Sequence, residues 1–149
     1  MIVFNIRQIT AAETIPLRHS VLRPHQPVSA CHYPGDDDPV NFHIGAFHDE
    51  QLICVASYFL EKHPDLAGAP QYRLRGMATD PDFRGQGAGS QLLIKGNEIL
   101  TEKKVPVWWC NARISAAGYY EKAGLSQLGE TFEIKPIGMH KVMYLVLPG

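Results

Sequence analysis

The stretch that decides the reading is RLRGMATDPDFRGQGAGSQLL, Arg73 to Leu93. It falls into three pieces in a fixed order. Leu74 to Thr79 is a short apolar run that suits a strand. Asp80-Pro81 ends it, because proline has no N–H for a ladder and biases the residue before it away from helix. Arg84-Gly85-Gln86-Gly87-Ala88-Gly89 is a turn whose glycines can take backbone angles closed to other residues. From Ala88 the period changes: Leu92, Leu93, Gly96, Ile99 and Leu100 share one helical face, which predicts a helix running to Lys104.

Strand, glycine turn and helix start together form an anion site. The first turn of a helix leaves its N–H groups unpaired, and the macrodipole adds partial positive charge there. Gly85, Gly87 and Gly89 have no side chains to hold a phosphate away from those donors, and Arg84 adds a fixed charge at the mouth. The implied ligand is a phosphate or, given the length of the loop, a pyrophosphate. Two phosphate-loop motifs fail on residues. A Walker loop ends Gly-Lys-Ser/Thr, whereas this one ends Gly89-Ser90-Gln91; the spacing Gly-x-Gly-x-x-Gly is also absent.

The segment Arg84–Gly89 resembles the Arg/Gln-x-x-Gly-x-Gly/Ala motif of the GNAT superfamily of N-acetyltransferases, with Gly87 and Gly89 as its glycines. In that family the loop binds the pyrophosphate of acetyl-coenzyme A. The resemblance implies that Arg84, Gly85, Gln86, Gly87, Ala88, Gly89 and Ser90 bind this co-substrate. It also implies that Met77, Ala78 and Thr79 on the preceding strand hold the pantetheine arm, with the Met77 N–H facing the thioester oxygen. A donor positioned in this way contributes on the order of 3 kcal/mol in the transition state.

Working outward, 149 residues make one domain of common size, read as a single unit over 1–149. Hydrophobic content of 45% and charged content of 19% are ordinary for a soluble globular protein. A net charge of −1 provides no basic field for nucleic acid, and no apolar run approaches the roughly 20 residues of a membrane span. The start Met1-Ile2-Val3-Phe4-Asn5-Ile6 lacks the charged region and cleavage site of a signal peptide. Cys31, Cys54 and Cys110 are odd in number and show no Cys-x-x-Cys spacing, as expected for buried or free thiols in a reducing cytoplasm. The seven histidines show no metal spacing, so no metal is expected. A homodimer is compatible with all of this.

In chain order, Ile2, Phe4 and Ile6 alternate as a first strand, and Thr10-Ala11-Ala12-Glu13 has the spacing of a capping box that opens a helix, with Pro16 a kink and Arg23-Pro24 its end. From His25 to Asn41 prolines, Gly35 and Asp36-Asp37-Asp38 exclude a long regular element. The three aspartates are expected as a solvated acidic tip; a collar that attracts a cationic amine is the sharper alternative. Phe42–His48 and Leu52–Leu60 form a hairpin, and Glu61 to Pro70 links it to the central strand. Val105–Cys110 is a fifth strand and Ser115–Ala123 a helix stopped by Gly124, before a closing pair of strands at Ser126–Ile134 and Met139–Leu147. This order resembles the GNAT acyl-CoA N-acyltransferase fold over nearly the whole chain. That fold is a mixed α/β (α+β) architecture, a mainly antiparallel sheet splayed between its fourth and fifth strands and flanked by helices.

Asn111 and the run Gly118-Tyr119-Tyr120-Glu121-Lys122-Ala123-Gly124-Leu125 resemble the family's Asn…Tyr-Glu-Lys-x-Gly-Phe segment, with Leu125 in place of the phenylalanine. The resemblance gives Tyr120 the role of general acid at the coenzyme sulfur. A free phenol has a pKa near 10 and a thiol about 8.5, so a hydrogen bond to the thiolate is the safer expectation than full protonation. Tyr119 is the packing aromatic of the pair, counted among the residues around the co-substrate, and Asn111 would bond the pantetheine amide or a water. The family often places an acid on the fourth strand, but Arg73 and Arg75 flank Leu74 here. His140, in an ending similar to Gly-Ile-x-His-x-x-Met of some bacterial members, is the substitute base; His43 and His48 are weaker candidates. Cys110 as an acyl-carrying nucleophile is disfavoured because no histidine lies near it in sequence. The activity implied is direct acetyl transfer to an amine, and the rival from another class is an acyl-coenzyme A sensor or accessory subunit without turnover.

Overall fold

The computed structural model describes residues 2–148. Its contacts divide the chain into two compact units. One takes the chain up to Phe59 together with Leu74–Glu98; the other takes Leu60–Arg73 and the chain from Ile99 on. Among the described residues seven strands hydrogen-bond, in the order β1-β2-β3-β4 in the first unit and β4-β5-β7-β6 in the second. These are β1 (Asn5–Ile9), β2 (Phe42–His48), β3 (Gln51–Leu60), β4 (Gln71–Thr79), β5 (Val107–Arg113), β6 (Ser126–Ile134) and β7 (Gly138–Val146). The ladders β1–β2, β2–β3, β5–β7 and β6–β7 are antiparallel, whereas β4 with β5 is parallel and covers only Gln71↔Val107, Tyr72↔Trp108 and Arg73↔Trp109. That ladder stops while both strands continue, β4 to Thr79 and β5 to Arg113.

In the first unit, α1 (Ala11–Leu17) opens on the expected capping box: the Thr10 hydroxyl accepts the Glu13 N–H and the Glu13 carboxylate accepts the Thr10 N–H. Pro16 cannot donate to the carbonyl four residues back, and the winding widens just after it into a π-helical turn, Arg18–Leu22. The first strand begins later than its alternation suggests. Phe4, 4% exposed, is anchored by a side chain instead of a ladder: its N–H donates to Gln91 Oε1, and Gln91 Nε2 donates to the Ile2 carbonyl. The hairpin of β2 and β3 turns at Asp49, which takes a left-handed φ of 54°. The helix α2 (Ala88–Glu102) buries Leu92, Leu93, Ile99 and Leu100 while Ile94 faces out, as the spacing predicts. Gly96 lies on that face because a Cβ there would collide with the Tyr58 hydroxyl.

The second unit shows why β4 and β5 are displaced from their expected limits. Gln71 is a polar residue hidden in the sheet, 1% exposed, and every hydrogen-bonding atom of its amide is used. Its Nε2 donates to the carbonyls of Leu66 and Gly68, and its Oε1 accepts the His63 N–H. β5 starts at Val107 because Pro106 interrupts and the Val105 N–H turns back to the Leu100 carbonyl. It runs past Cys110, which puts Asn111 inside the strand instead of at its end. The helix α3 (Ala117–Lys122) follows a 3₁₀ turn at Ile114–Ala116 and stops at Gly124, φ 98°. Leu66, Val107, Trp109 and Val142 form the core here, with Leu128, Phe132 and Tyr144 packed against it.

Candidate active site

The glycine turn is open. Asp80 ends β4 by donating its N–H to the Ile53 carbonyl at 2.7 Å, and its carboxylate caps the 3₁₀ turn Pro81–Phe83. Gly85 and Gly87 then take φ values of 75° and 87°, a region L side chains rarely adopt, and a Cβ on either would meet nothing within 4 Å. The glycines are therefore required by conformation, and the space beside them is available to a ligand. The Gln91 N–H bonds back to the Gly87 carbonyl at 3.1 Å, so the N–H groups of Ala88, Gly89 and Ser90 precede the first helical bond. Arg84, Gly85 and Ser90 are exposed, Gln86, Gly87 and Gly89 half-buried, and Ala88 buried. Gln86 Oε1 is buried without a hydrogen-bond partner among the described residues, an acceptor ready for an N–H or O–H. The residues present fit the pyrophosphate end of a coenzyme.

On β4, Met77 and Thr79 are half-buried. Ala78 packs its methyl against Leu17 and Val55, so only its backbone can serve a ligand. The Thr79 hydroxyl lies 3.1 Å from Cys54 Sγ. Just before these residues Gly76 takes a φ of 64°, and a Cβ there would press within 3.1 Å of the Tyr33 ring and 3.2 Å of Arg18 Nε.

The remaining expected residues lie in the second unit. Asn111 is half-buried opposite Val142 and lines a cavity of about 590 Å³. On α3 the rings of Tyr119 and Tyr120 meet edge to face at 5.2 Å, Tyr119 exposed and Tyr120 half-buried. His140 is 5% exposed, and its Nδ1 lies 2.8 Å from the Gly138 carbonyl. That contact requires Nδ1 to carry the proton and leaves Nε2 as the basic nitrogen. Cys110 is 3% exposed, and burial pushes its thiol up to about 12, against the lowering charge of Arg73. A thiol so held is no nucleophile at neutral pH.

Two arrangements were not legible in the sequence. The first corrects the acidic tip. Asp36 is not solvated: it accepts two hydrogen bonds from Arg18, at 2.7 and 3.0 Å, and the Tyr33 N–H at 2.9 Å, while Asp37 and Asp38 stay exposed. Arg18, fully buried, also donates to Ser57 Oγ and the Cys31 carbonyl, and it lies over the Tyr33 ring at 4.0 Å. Burial works to raise the Asp36 pKa, but the Arg18 and Tyr33 hydrogen bonds and the Arg18 charge outweigh it and hold it below the usual carboxylate value. His43 is drawn into the same cluster, with Nδ1 on Ser57 Oγ and Nε2 on the Asp36 carbonyl, so neither nitrogen is left for a substrate.

The second is the cavity around Asn111. The segment read only as a link contributes Glu61, His63 and Asp65; Arg73, Trp109, Glu130 and Phe132 complete most of the lining. Arg73, whose charge argued against an acid on this strand, carries one beside it: its Nη1 lies 3.2 Å from Glu61 Oε2. The Trp109 indole N–H donates to the Glu61 carbonyl at 2.9 Å, and the Arg73 guanidinium lies 5.1 Å from the Trp109 ring centroid.

Known proteins give the same assignment by an independent route. Residues 6–125 match the model of the acetyltransferase (GNAT) family. The uncharacterized N-acetyltransferase YitI of Bacillus subtilis (strain 168) is 44% identical over 142 residues, 95% of each chain. An aminoglycoside 6'-N-acetyltransferase complexed with coenzyme A superposes with a TM-score of 0.79 at 9% identity, over 97% of this chain and 98% of that one. The ribosomal-protein-S18-alanine N-acetyltransferase of Escherichia coli does so with a TM-score of 0.72 at 16% identity, over 98% and 94%. At such identities the two structures establish the fold alone. With the family match across most of the chain and the Bacillus relative over nearly all of it, the chain belongs to the GNAT acetyltransferase family.

Proposed function

We propose that the Arg84–Ser90 turn binds the pyrophosphate of acetyl-coenzyme A and that the chain transfers the acetyl group directly to an amine. The observation that carries this reading is the pair of left-handed glycines, open to solvent space, at the start of a helix whose first N–H groups have no intrahelical partner. Acetyl-coenzyme A supplies an activated thioester. In the transfer a C–N bond forms and the C–S bond breaks; the nitrogen loses one proton and the departing thiolate takes one up.

Each remaining role falls to a named group. The backbone of Met77 to Thr79 is assigned to the pantetheine arm and thioester oxygen, and Asn111 to an amide or water beside it. Tyr120 carries the hydroxyl for the thiolate, and Tyr119 braces its ring edge to face. His140, with Nδ1 committed to Gly138, is the base through Nε2.

Acetyl-coenzyme A is expected to raise the melting temperature, because a ligand of the native state stabilises it by mass action. Thiol release should follow on adding a suitable amine. Gly87→Val forces a branched side chain into a left-handed φ and should abolish the shift. A full shift in that variant removes the turn from the site, and binding without thiol release across a broad amine panel identifies a binding protein instead of an enzyme.

A further inference from the structure

Resting on that reading, we infer that the acceptor is a di- or polyamine whose second, non-reacting ammonium is held by Asp65 and Glu130 in the cavity of the second unit. The cavity, about 590 Å³, is of the size that holds a small molecule, in a range of roughly 300–1,000 Å³. Its floor is the unit's own apolar core, Trp109 and Val142 with Phe132 against them. Asp65 and Glu130 are solvent-exposed side chains of this lining, so their pull on a cation weakens as salt is raised.

The lining carries three carboxylates and one guanidinium. Glu61 and Arg73 neutralise each other at 3.2 Å. Asp65 and Glu130 have no ion-pair partner among the described residues. His63 is the other basic side chain of the lining, and the three carboxylates outnumber it and Arg73 together. The cavity therefore presents uncompensated negative charge and selects cations over anions. Arg73 Nε is buried without a partner among the described residues, but its guanidinium is already neutralised by Glu61; it calls for a neutral oxygen, not a carboxylate.

The chemistry of transfer then separates two nitrogens. An amine must be neutral to attack, and carboxylates beside it would hold its proton on. Unpaired carboxylates therefore oppose catalysis if they surround the reacting nitrogen and favour binding if they hold a different one. That requires a second amine on the same molecule.

Three probes of equal chain length test this: 1,4-diaminobutane, butylamine and 4-aminobutyrate, each followed by thiol release. kcat/KM should be about tenfold or more higher for the diamine than for butylamine, with 4-aminobutyrate poorest. Raising salt from about 0.1 to about 0.5 M should narrow the gap. The double variant Asp65→Asn, Glu130→Gln should bring the diamine to the level of butylamine, chiefly through KM, while keeping the melting shift with acetyl-coenzyme A that shows it folded. Equal values for diamine and butylamine in the unaltered protein, a preference for 4-aminobutyrate, or no turnover of the diamine overturns the inference. If thiol is then released by some other amine, acetyl transfer stands without it. If no amine releases thiol, both readings fall.

Discussion

The glycine turn at Arg84–Gly89 and the cavity around Asn111 are built from opposite materials. The turn offers a ligand its backbone: helix N–H groups and two left-handed glycines with nothing near their Cα hydrogens. The cavity offers side chains, and they come from the link after β3, from β4, β5 and β7, and from β6. One is written in six consecutive residues; the other is assembled by strand register. A backbone-built site is sensitive to added atoms and indifferent to most removed ones, and a side-chain-built site shows the reverse. Substitutions that delete atoms should therefore do their damage away from the turn.

The largest effect expected is at Tyr120. Tyr120→Phe removes one oxygen, and proton-handling groups contribute about 10²–10⁴-fold to turnover. The melting shift with acetyl-coenzyme A should survive. Equal, small losses for Phe at 119 and 120 would return both rings to packing and break the contrast.

Next comes the segment from His25 to Asn41, which has the composition of a loop but the construction of a core. Asp36→Asn leaves the buried Arg18 without its counter-charge, a change that costs about 3–5 kcal/mol when a buried pair is broken. Denaturant unfolding measures it; a loss within about 1 kcal/mol would class this segment with exposed ion pairs. The sign with pH follows from the depressed Asp36 pKa. Its contribution is fully present above the unfolded carboxyl value, about 3.9, and is lost as pH falls through the lower folded value. The unaltered protein should thus lose stability over that acid window, and the Asn variant should lose less.

The smallest effect is at His140. It acts as base through Nε2, so His140→Gln should lower turnover by about 10²-fold, read by thiol release, with acetyl-coenzyme A binding kept. Unchanged turnover in that variant assigns the proton to solvent or to the amine itself.

These contrasts also explain what the sequence could reveal. The strand, break, turn and helix of Arg73–Leu93 are local, so periodicity and punctuation locate them to within a few residues, and the capping box at Thr10 is equally self-contained. Boundaries moved where a distant group intervened. Gln71 extends β4 because its amide is satisfied by Leu66, Gly68 and His63, and Phe4 is held by Gln91 instead of by a strand partner. Asp36 looked like one of three solvated acids because its partner Arg18 lies 18 residues back on a π-helical turn. Glu61 looked like linker because its partner Arg73 lies 12 residues on, beyond the link to the next strand.

The three cysteines, set aside as chemistry, make the molecule its own reporter. Cys31 and Cys54 are fully enclosed in the first unit and Cys110 is 3% exposed in the second; burial lifts the Cys54 thiol to about 11 and that of Cys110 to about 12. A disulfide reagent is attacked by the thiolate, with its other sulfur leaving, and these thiols are buried and held protonated or enclosed, so the native protein stays silent towards it. Coenzyme A release can then be followed continuously against a blank background. When labelling of the protein does begin, it marks opening of the chain, and the position labelled tells which unit opened first.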